Sequence, residues 1–407
     1  MNAKRFVLIG CCFAVGVLTL PNLLFAAQDT GQGKSTPENI GQQIKGRMFD
    51  GVWESGDNLP SLGESSLQVA QASGDDAAME EPMPEECLKF GQDIDADVGA
   101  IIKAGCKPTQ AQMAKLMDNP LGSVAMWFNQ LDFYRMTNES VTDETKNKSN
   151  YMSLFQFPKR LNDDWNLINR FVINVSSMPL DQDKIDAANA AEGDYSDITG
   201  VAQPPATGPA LPINQFDGRT TALGDIYYVG LFSKRDPIVV REATADQGRA
   251  IAVWGLGFDL GVPSATEDLT GTGKWTAGPS ALGVYMGPKW KIGALLQQYW
   301  DFAGDSDRDP VNLTNLQYFI FYGLTPTLSI GAAPNIIGNW EQDKDDRWTV
   351  PIGLGIQKVI KLGKASARIG FEAHYSVIQP DNVPSSEWDF RFYFIPAAPS
   401  VLFDWMN

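Results

Sequence analysis

The sequence predicts an all-β chain: a closed antiparallel transmembrane β-barrel of about twelve strands, with a short helical segment ahead of it. Three observations carry this. From residue 122 onward, segments of roughly 9 to 15 residues alternate apolar and polar side chains, with polar turns between them. Strands of soluble proteins usually run about 5–6 residues, whereas membrane-crossing strands need about 9–11. The connections alternate between short turns and longer acidic loops, the arrangement of barrels with one turn side and one loop side. Trp and Tyr gather near strand ends on the apolar rows, where an interfacial girdle would sit.

The chain opens with Lys4 and Arg5, then an apolar run from Phe6 to Leu20 that Pro21 breaks. Small residues near Ala26 and Ala27 offer a cleavage site, so residues 1–27 are expected to be an export signal peptide. A spanning helix needs about 20 apolar residues, more than this run supplies. Residues 28–86 are acidic and rich in Gly and Ser, the composition of a disordered linker. Residues 87–119 turn helical: Phe90, Ile94, Val98, Ile101 and Ile102 fall at helical spacing, Thr109 is a candidate N-cap and Pro120 a stop. Cys87 and Cys106 in an exported chain predict one disulfide joining these helices. Two thiols with no nearby His do not make a zinc site, and no cofactor is expected.

The barrel region is 120–407. Its strands are expected at 122–135, 150–158, 165–176, 220–233, 250–262, 275–287, 289–303, 311–323, 327–340, 347–360, 364–377 and 386–396. Their faces are two-sided. Trp388, Phe390, Phe392 and Phe394 oppose Glu387, Asp389 and Arg391; Trp254, Leu256, Phe258 and Leu260 oppose Gly255, Gly257, Asp259 and Gly261. A closed barrel removes the edges that such apolar faces would otherwise expose. An even strand count puts both chain ends on the short-turn, periplasmic side. Pro396 and Pro399 are expected to end the last strand, leaving a tail that lies at the mouth or adds a short further strand.

Several alternatives lose ground on composition. A net charge of −17 argues against nucleic acid as a partner, because phosphate recognition needs a basic face. No stretch after the signal reaches 18 consecutive apolar residues, so helical spanning is not expected. "GLGFDLG", Gly255 to Gly261, has the wrong spacing for a dinucleotide loop and no helix follows it. "DIDADVG", Asp93 to Gly99, has Val98 where a calcium loop needs Gly. The acidic loops around Asp305 and Asp343 read as solvated charge rather than as metal sites.

The chain resembles a bacterial outer-membrane barrel family named for its association with meta-pathway phenol degradation. The likeness covers roughly residues 120–407. It rests on "TTALGDIYYVGLF", "VWGLGFDLGVPSATED", "TAGPSALGVYMGPKWKIGALLQ", "APNIIGNWEQD", "WTVPIGLGIQK" and "RIGFEAHYSVIQPD". The resemblance implies a barrel and a transport role without a defined substrate; its association suggests small aromatic or hydrophobic solutes, while the mixed charges of the polar rows fit polar solutes equally well. It assigns no substrate residues.

Candidate pore-lining residues come from the polar rows: Lys289, Lys291, Gln297, Asp301, Arg368, Glu372, His374, Asp389 and Arg391. A symmetric hairpin closed by 378–385 would set His374 opposite Asp389 and Glu372 opposite Arg391, as opposite-charge cross-strand pairs. His374 is the only histidine and has Ser376 on its own face, so a barrel lipid hydrolase is a further reading. The function expected is a passive channel for small solutes. A structural or surface-interaction barrel is the alternative. The partners implied are the outer-membrane bilayer, a small solute and the outer-membrane assembly machinery.

Overall fold

The computed structural model describes residues 84–136, 145–183, 186, 218–244, 248–363, 365–381 and 385–406. The expected signal peptide and nearly all of the expected linker lie outside the described residues. What is described falls within one unit, Pro82–Asn407.

Three short helices come first: α1 (Glu85–Gln92), α2 (Val98–Lys103) and α3 (Gln110–Asp118). Each start has a local cause. Asp97 caps α2 by accepting from the N–H groups of Gly99 and Ala100. Thr109 and Gln112 form a reciprocal capping box at α3. Cys87 and Cys106 are joined, with Cα atoms 5.4 Å apart. Closing a loop of this size stabilises the segment by about 3 kcal/mol on a loop-entropy account. Gln112 donates to the carbonyls of Phe90 and Asp93 at 2.6 and 2.7 Å, which holds α1 against α3.

The strands are β1 (Val124–Met136), β2 (Lys146–Arg160), β3 (Trp165–Met178), β4 (Thr220–Leu223), β5 (Ile226–Lys234), β6 (Ile238–Arg241), β7 (Ala250–Val262), β8 (Lys274–Met286), β9 (Trp290–Gly304), β10 (Asn312–Gly323), β11 (Leu328–Ala332), β12 (Asn335–Asn339), β13 (Trp348–Leu362), β14 (Ala365–Ile378) and β15 (Ser386–Pro399). Every pairing is between antiparallel neighbours, and β15 returns to β1 from Val124↔Pro399 to Met136↔Ser386. Closure leaves no free edge. With β4/β5 and β11/β12 each counted as one interrupted strand, and β6 as a short extension beside β7, twelve strands close the barrel.

Both interruptions have a chemical reason. At Gly224–Asp225 the chain leaves the ladder, and the Asp225 carboxylate accepts from the backbone N–H groups of Ser264, Ala265 and Thr272 at 3.1, 3.2 and 2.7 Å. The loop after β7 is thereby tied to the head of β5. At Ala333–Pro334 the proline brings no N–H, and the backbone of Ala333 bonds to side chains inside the barrel instead of to β13.

The last strand is longer than expected. β15 runs through Pro396, which pairs with Ala367, and on to Pro399. Proline removes single donors, but the flanking residues carry both ladders. The tail adds no strand: two 3-10 turns, Ser400–Leu402 and Asp404–Met406, fold back toward β2. The Trp405 carbonyl accepts from Lys159 at 2.7 Å, and its ring meets Phe157 at 4.9 Å.

The two wall faces differ. Leu354, Leu256, Phe302, Ile352 and Trp290 on the outward rows are 48–67% exposed, with Leu354 the most exposed at 67%. Such contiguous apolar exposure is unstable in water and stable against lipid. The inward rows are not uniformly polar. Ile168, Val229, Leu231, Val253, Leu282, Val284 and Leu295 form a buried cluster closed by Leu121 from the chain entering the barrel. The inner face is apolar there because protein, not water, covers it.

Candidate functional site

The helical segment enters the short-turn end of the barrel. Gln110 donates to the Val359 carbonyl at 3.0 Å, and Gln156 donates to the Pro120 carbonyl at 2.8 Å. Ala114 and Met117 of α3 pack with Val124, Met126, Val359 and Ile395 of the wall. At the end of α3, Asp118 meets two cations from separated strands: Arg368 of β14 at 2.5 Å and Lys291 of β9 at 3.1 Å. All three side chains are at most 16% exposed, so this contact is shielded from bulk solvent and salt. One carboxylate thus ties the helix to two sides of the lumen.

A second cluster lies on β1, β14 and β15. The cross-strand partners are His374↔Asp389 and Glu372↔Arg391. His374 Nδ1 lies 2.8 Å from Asp389, and its Nε2 lies 2.9 Å from Glu372. Both ring nitrogens are thereby engaged by carboxylates. Arg391 Nε donates to Asp132 at 2.7 Å, and its Nη1 donates to the Ala333 carbonyl at 2.7 Å. Glu372 also accepts from the Ala333 N–H at 2.8 Å. His374, Glu372, Asp132 and Arg391 are each 5% exposed or less. Such burial is tolerable only because each charge is paired and hydrogen-bonded. Two glycines on β13 make room. A Cβ at Gly353 would lie 2.2 Å from the His374 ring, and one at Gly355 would lie 2.6 Å from Glu372.

Between the helix end and this cluster lies a cavity of about 480 Å³. Its wall is mixed. Met152, Leu154, Val172, Leu295 and Phe319 are apolar, Tyr227 and Tyr299 meet edge to face at 5.5 Å, and Gln130, Asn174, Asn315 and Gln357 are polar.

The expected pore-lining residues separate into groups. Lys291, Gln297, Arg368, Glu372 and Arg391 border the cavity. His374 and Asp389 stand behind it, in the buried cluster. Asp301 accepts from the Val311 N–H at 2.8 Å, closing the loop after β9. Lys289 stands in the turn before β9 rather than on its inner row, exposed, with its ammonium 5.6 Å from the Tyr322 ring centre. Asp118, Arg170, Thr276 and Ala333 also border the cavity, and the polar rows of the sequence do not point to them. Asp118 ends a helix, and its sequence does not say where that helix points. Arg170 sits between Ile168 and Val172, on an inner row whose apolar members hide the alternation.

Among the described residues, His374 has no serine partner. Both of its ring nitrogens are engaged by carboxylates, so it has no free nitrogen to accept a proton from a hydroxyl.

No protein-family model matches the sequence, and no curated protein matches it. Among solved structures, an outer membrane channel from Pseudomonas putida F1 aligns at 14% identity and a TM-score of 0.43, over 69% of this chain and 97% of that one. Outer membrane phospholipase A from Escherichia coli aligns at 9% and 0.34, over 72% and 97%. A Pseudomonas aeruginosa FadL homologue aligns at 10% and 0.28, over 68% and 90%. Scores this low assign no function; they leave the chain described by its own geometry, a closed twelve-stranded antiparallel barrel with a helical segment at one end.

Proposed function

We propose that this chain is an outer-membrane channel that passes small solutes by passive diffusion, with its helical N-terminal segment seated in the periplasmic mouth. The observation that carries the reading is the pairing of an apolar outer surface with a lined inner cavity of about 480 Å³. Twelve strands make a barrel that side chains narrow without filling. Export would use residues 1–27, and insertion would use the outer-membrane assembly machinery. Lys291, Gln297, Arg368, Glu372 and Arg391 would line the path. His374 and Asp389 would hold its wall in shape.

The solute would meet both polar amides and apolar or aromatic side chains, which suits small amphipathic molecules. A barrel built only for structure or surface contacts would need no such cavity. A lipid hydrolase would need a free base beside a lipid-facing nucleophile, and a histidine ring held by two carboxylates supplies neither.

The test is single-channel recording of the full chain in planar bilayers. Discrete conductance steps are expected, and Asp118→Asn is expected to raise the step size or the open fraction. Silence in both proteins at all voltages would move the reading to a structural barrel. Lipid hydrolysis lost specifically in His374→Ala would move it to an enzyme.

A further inference from the structure

Four cationic side chains line the cavity: Lys291, Arg368, Arg391 and Arg170. The first three each meet a carboxylate of this chain. Arg170 does not. Among the described residues it makes no hydrogen bond and no ion pair, and its Nε is buried without a partner. It stands between Gln156 and Val229, one on each neighbouring strand. Arginine does not lose its charge under ordinary conditions, so the guanidinium is a fixed positive charge with its forked donors unspent. An unpaired charge in a sheltered site costs stability unless something compensates it.

A second group lacks a partner on the same wall. Thr276 lines the cavity, is 2% exposed, and its Oγ1 is buried with nothing bonded to it. Asp259, fully buried on the adjoining strand, accepts from Ser280 through one oxygen at 2.7 Å while Oδ1 remains without a partner. Asp259 and Thr276 are diagonal neighbours on paired strands, through Asp259↔Gly278 and Gly261↔Thr276, and Arg170, Thr276 and Tyr299 border the same cavity. Leu154, Val172, Val229, Leu282 and Leu295 supply an apolar part of the same wall, beside the amides of Gln156 and Asn174. The volume lies within the ~300–1,000 Å³ of ordinary small-molecule sites.

We propose that this wall is a binding site for a small organic acid, with the carboxylate on the Arg170 guanidinium, an apolar body against Leu154, Val172 and Leu295, and a hydroxyl toward Thr276 and Asp259. A planar carboxylate matches the guanidinium fork with two parallel hydrogen bonds. The apolar wall selects against a bare inorganic anion, which would leave it uncovered. The unpartnered oxygens favour a ligand that brings a donor. The site deepens the channel reading and rests on it for its place on a solute path, but binding can be measured without conductance.

The experiment is calorimetric titration of the full, detergent-solubilised chain with 4-hydroxybenzoate, its neutral counterpart 4-hydroxybenzamide, benzoate and inorganic phosphate. The acid is expected to bind at least tenfold more tightly than the amide. Arg170→Gln should erase that ratio while leaving the amide within twofold, and Arg170→Lys should keep part of it. Asp259→Asn should reduce the preference for 4-hydroxybenzoate over benzoate. Equal affinity of wild type for acid and amide would overturn the proposal, and so would an acid preference that survives Arg170→Gln. Phosphate binding as tightly as the acid would overturn the organic-acid assignment and leave a simple anion site. The wild-type ratio needs no variant, so a misfolded Arg170→Gln does not shield the proposal. Acid binding without bilayer conductance would remove the channel and keep the site; conductance without acid preference would do the reverse.

Discussion

Gly353 shows how closely a single residue controls the buried charge cluster. Its missing Cβ is the space that the His374 ring occupies, with the hypothetical atom only 2.2 Å from Cδ2. Gly353→Ala is therefore expected to push the ring off Asp389 or Glu372 and destabilise the barrel by about 1–3 kcal/mol, the usual range for overpacking. Urea unfolding in lipid vesicles measures this, and an unchanged midpoint would show that the ring moves freely. Arg391 is expected to matter more. Arg391→Met would leave Asp132 buried without its guanidinium, a loss on the order of 3–5 kcal/mol. Asp132→Asn in the same background should restore part of it, because the stranded charge is then gone. The pairing of His374 with Asp389 was readable in the sequence, since a symmetric closure of 378–385 and alternating faces determine register. The engagement of Ala333 by Glu372 and Arg391 was not readable, because backbone partners leave no side-chain pattern.

Among elements, the strands and α3 behave differently toward sequence. Ten of the expected strands are single elements in the structure, because two-sided alternation sustained over their length permits only one facing. The remaining two are broken at Gly224–Asp225 and Ala333–Pro334, where polar residues or proline serve a neighbour instead of the ladder. The start of α3 followed from its capping residue Thr109, but the helical run expected through Phe90, Ile94 and Val98 is broken between Gln92 and Val98, where Asp97 caps a new helix and Ile94 belongs to neither. The place of α3 inside the mouth did not follow, since it depends on Asp118 finding Arg368 and Lys291 across the lumen. That contact makes α3 the element on which closure depends. Asp118→Asn is expected to weaken it without unfolding the barrel, seen as a larger open fraction together with an unchanged heat-modifiable gel shift. Equal gating would show that apolar packing of Ala114 and Met117 alone seats the helix. On the outer face, Leu354 is near the middle of β13 and 67% exposed. Leu354→Arg is expected to cost about 2–4 kcal/mol in a bilayer, the penalty for a charge at the midplane of a barrel's lipid face. No cost in vesicles would contradict the orientation of the apolar belt.

For the whole molecule, the barrel fold follows from one physical demand. Twelve strands with one apolar row each can satisfy their backbone and hide their edges together only by closing. What the closed wall encloses was less accessible from sequence. Inner rows carry Ile168, Val229, Leu231 and Leu295, which pack with one another and with Leu121, so polarity alone misjudges which residues meet solvent. The result is a lumen narrowed at one end by protein and lined at its centre by both charge and hydrocarbon. The claim that this lumen is a solute path is tested most directly by liposome swelling with the full chain, across solutes of increasing size, beside Asp118→Asn. The account predicts swelling that falls off with solute size and rises in the variant. Liposomes that contain folded protein of both kinds yet swell no faster than empty ones, for any solute, would contradict it.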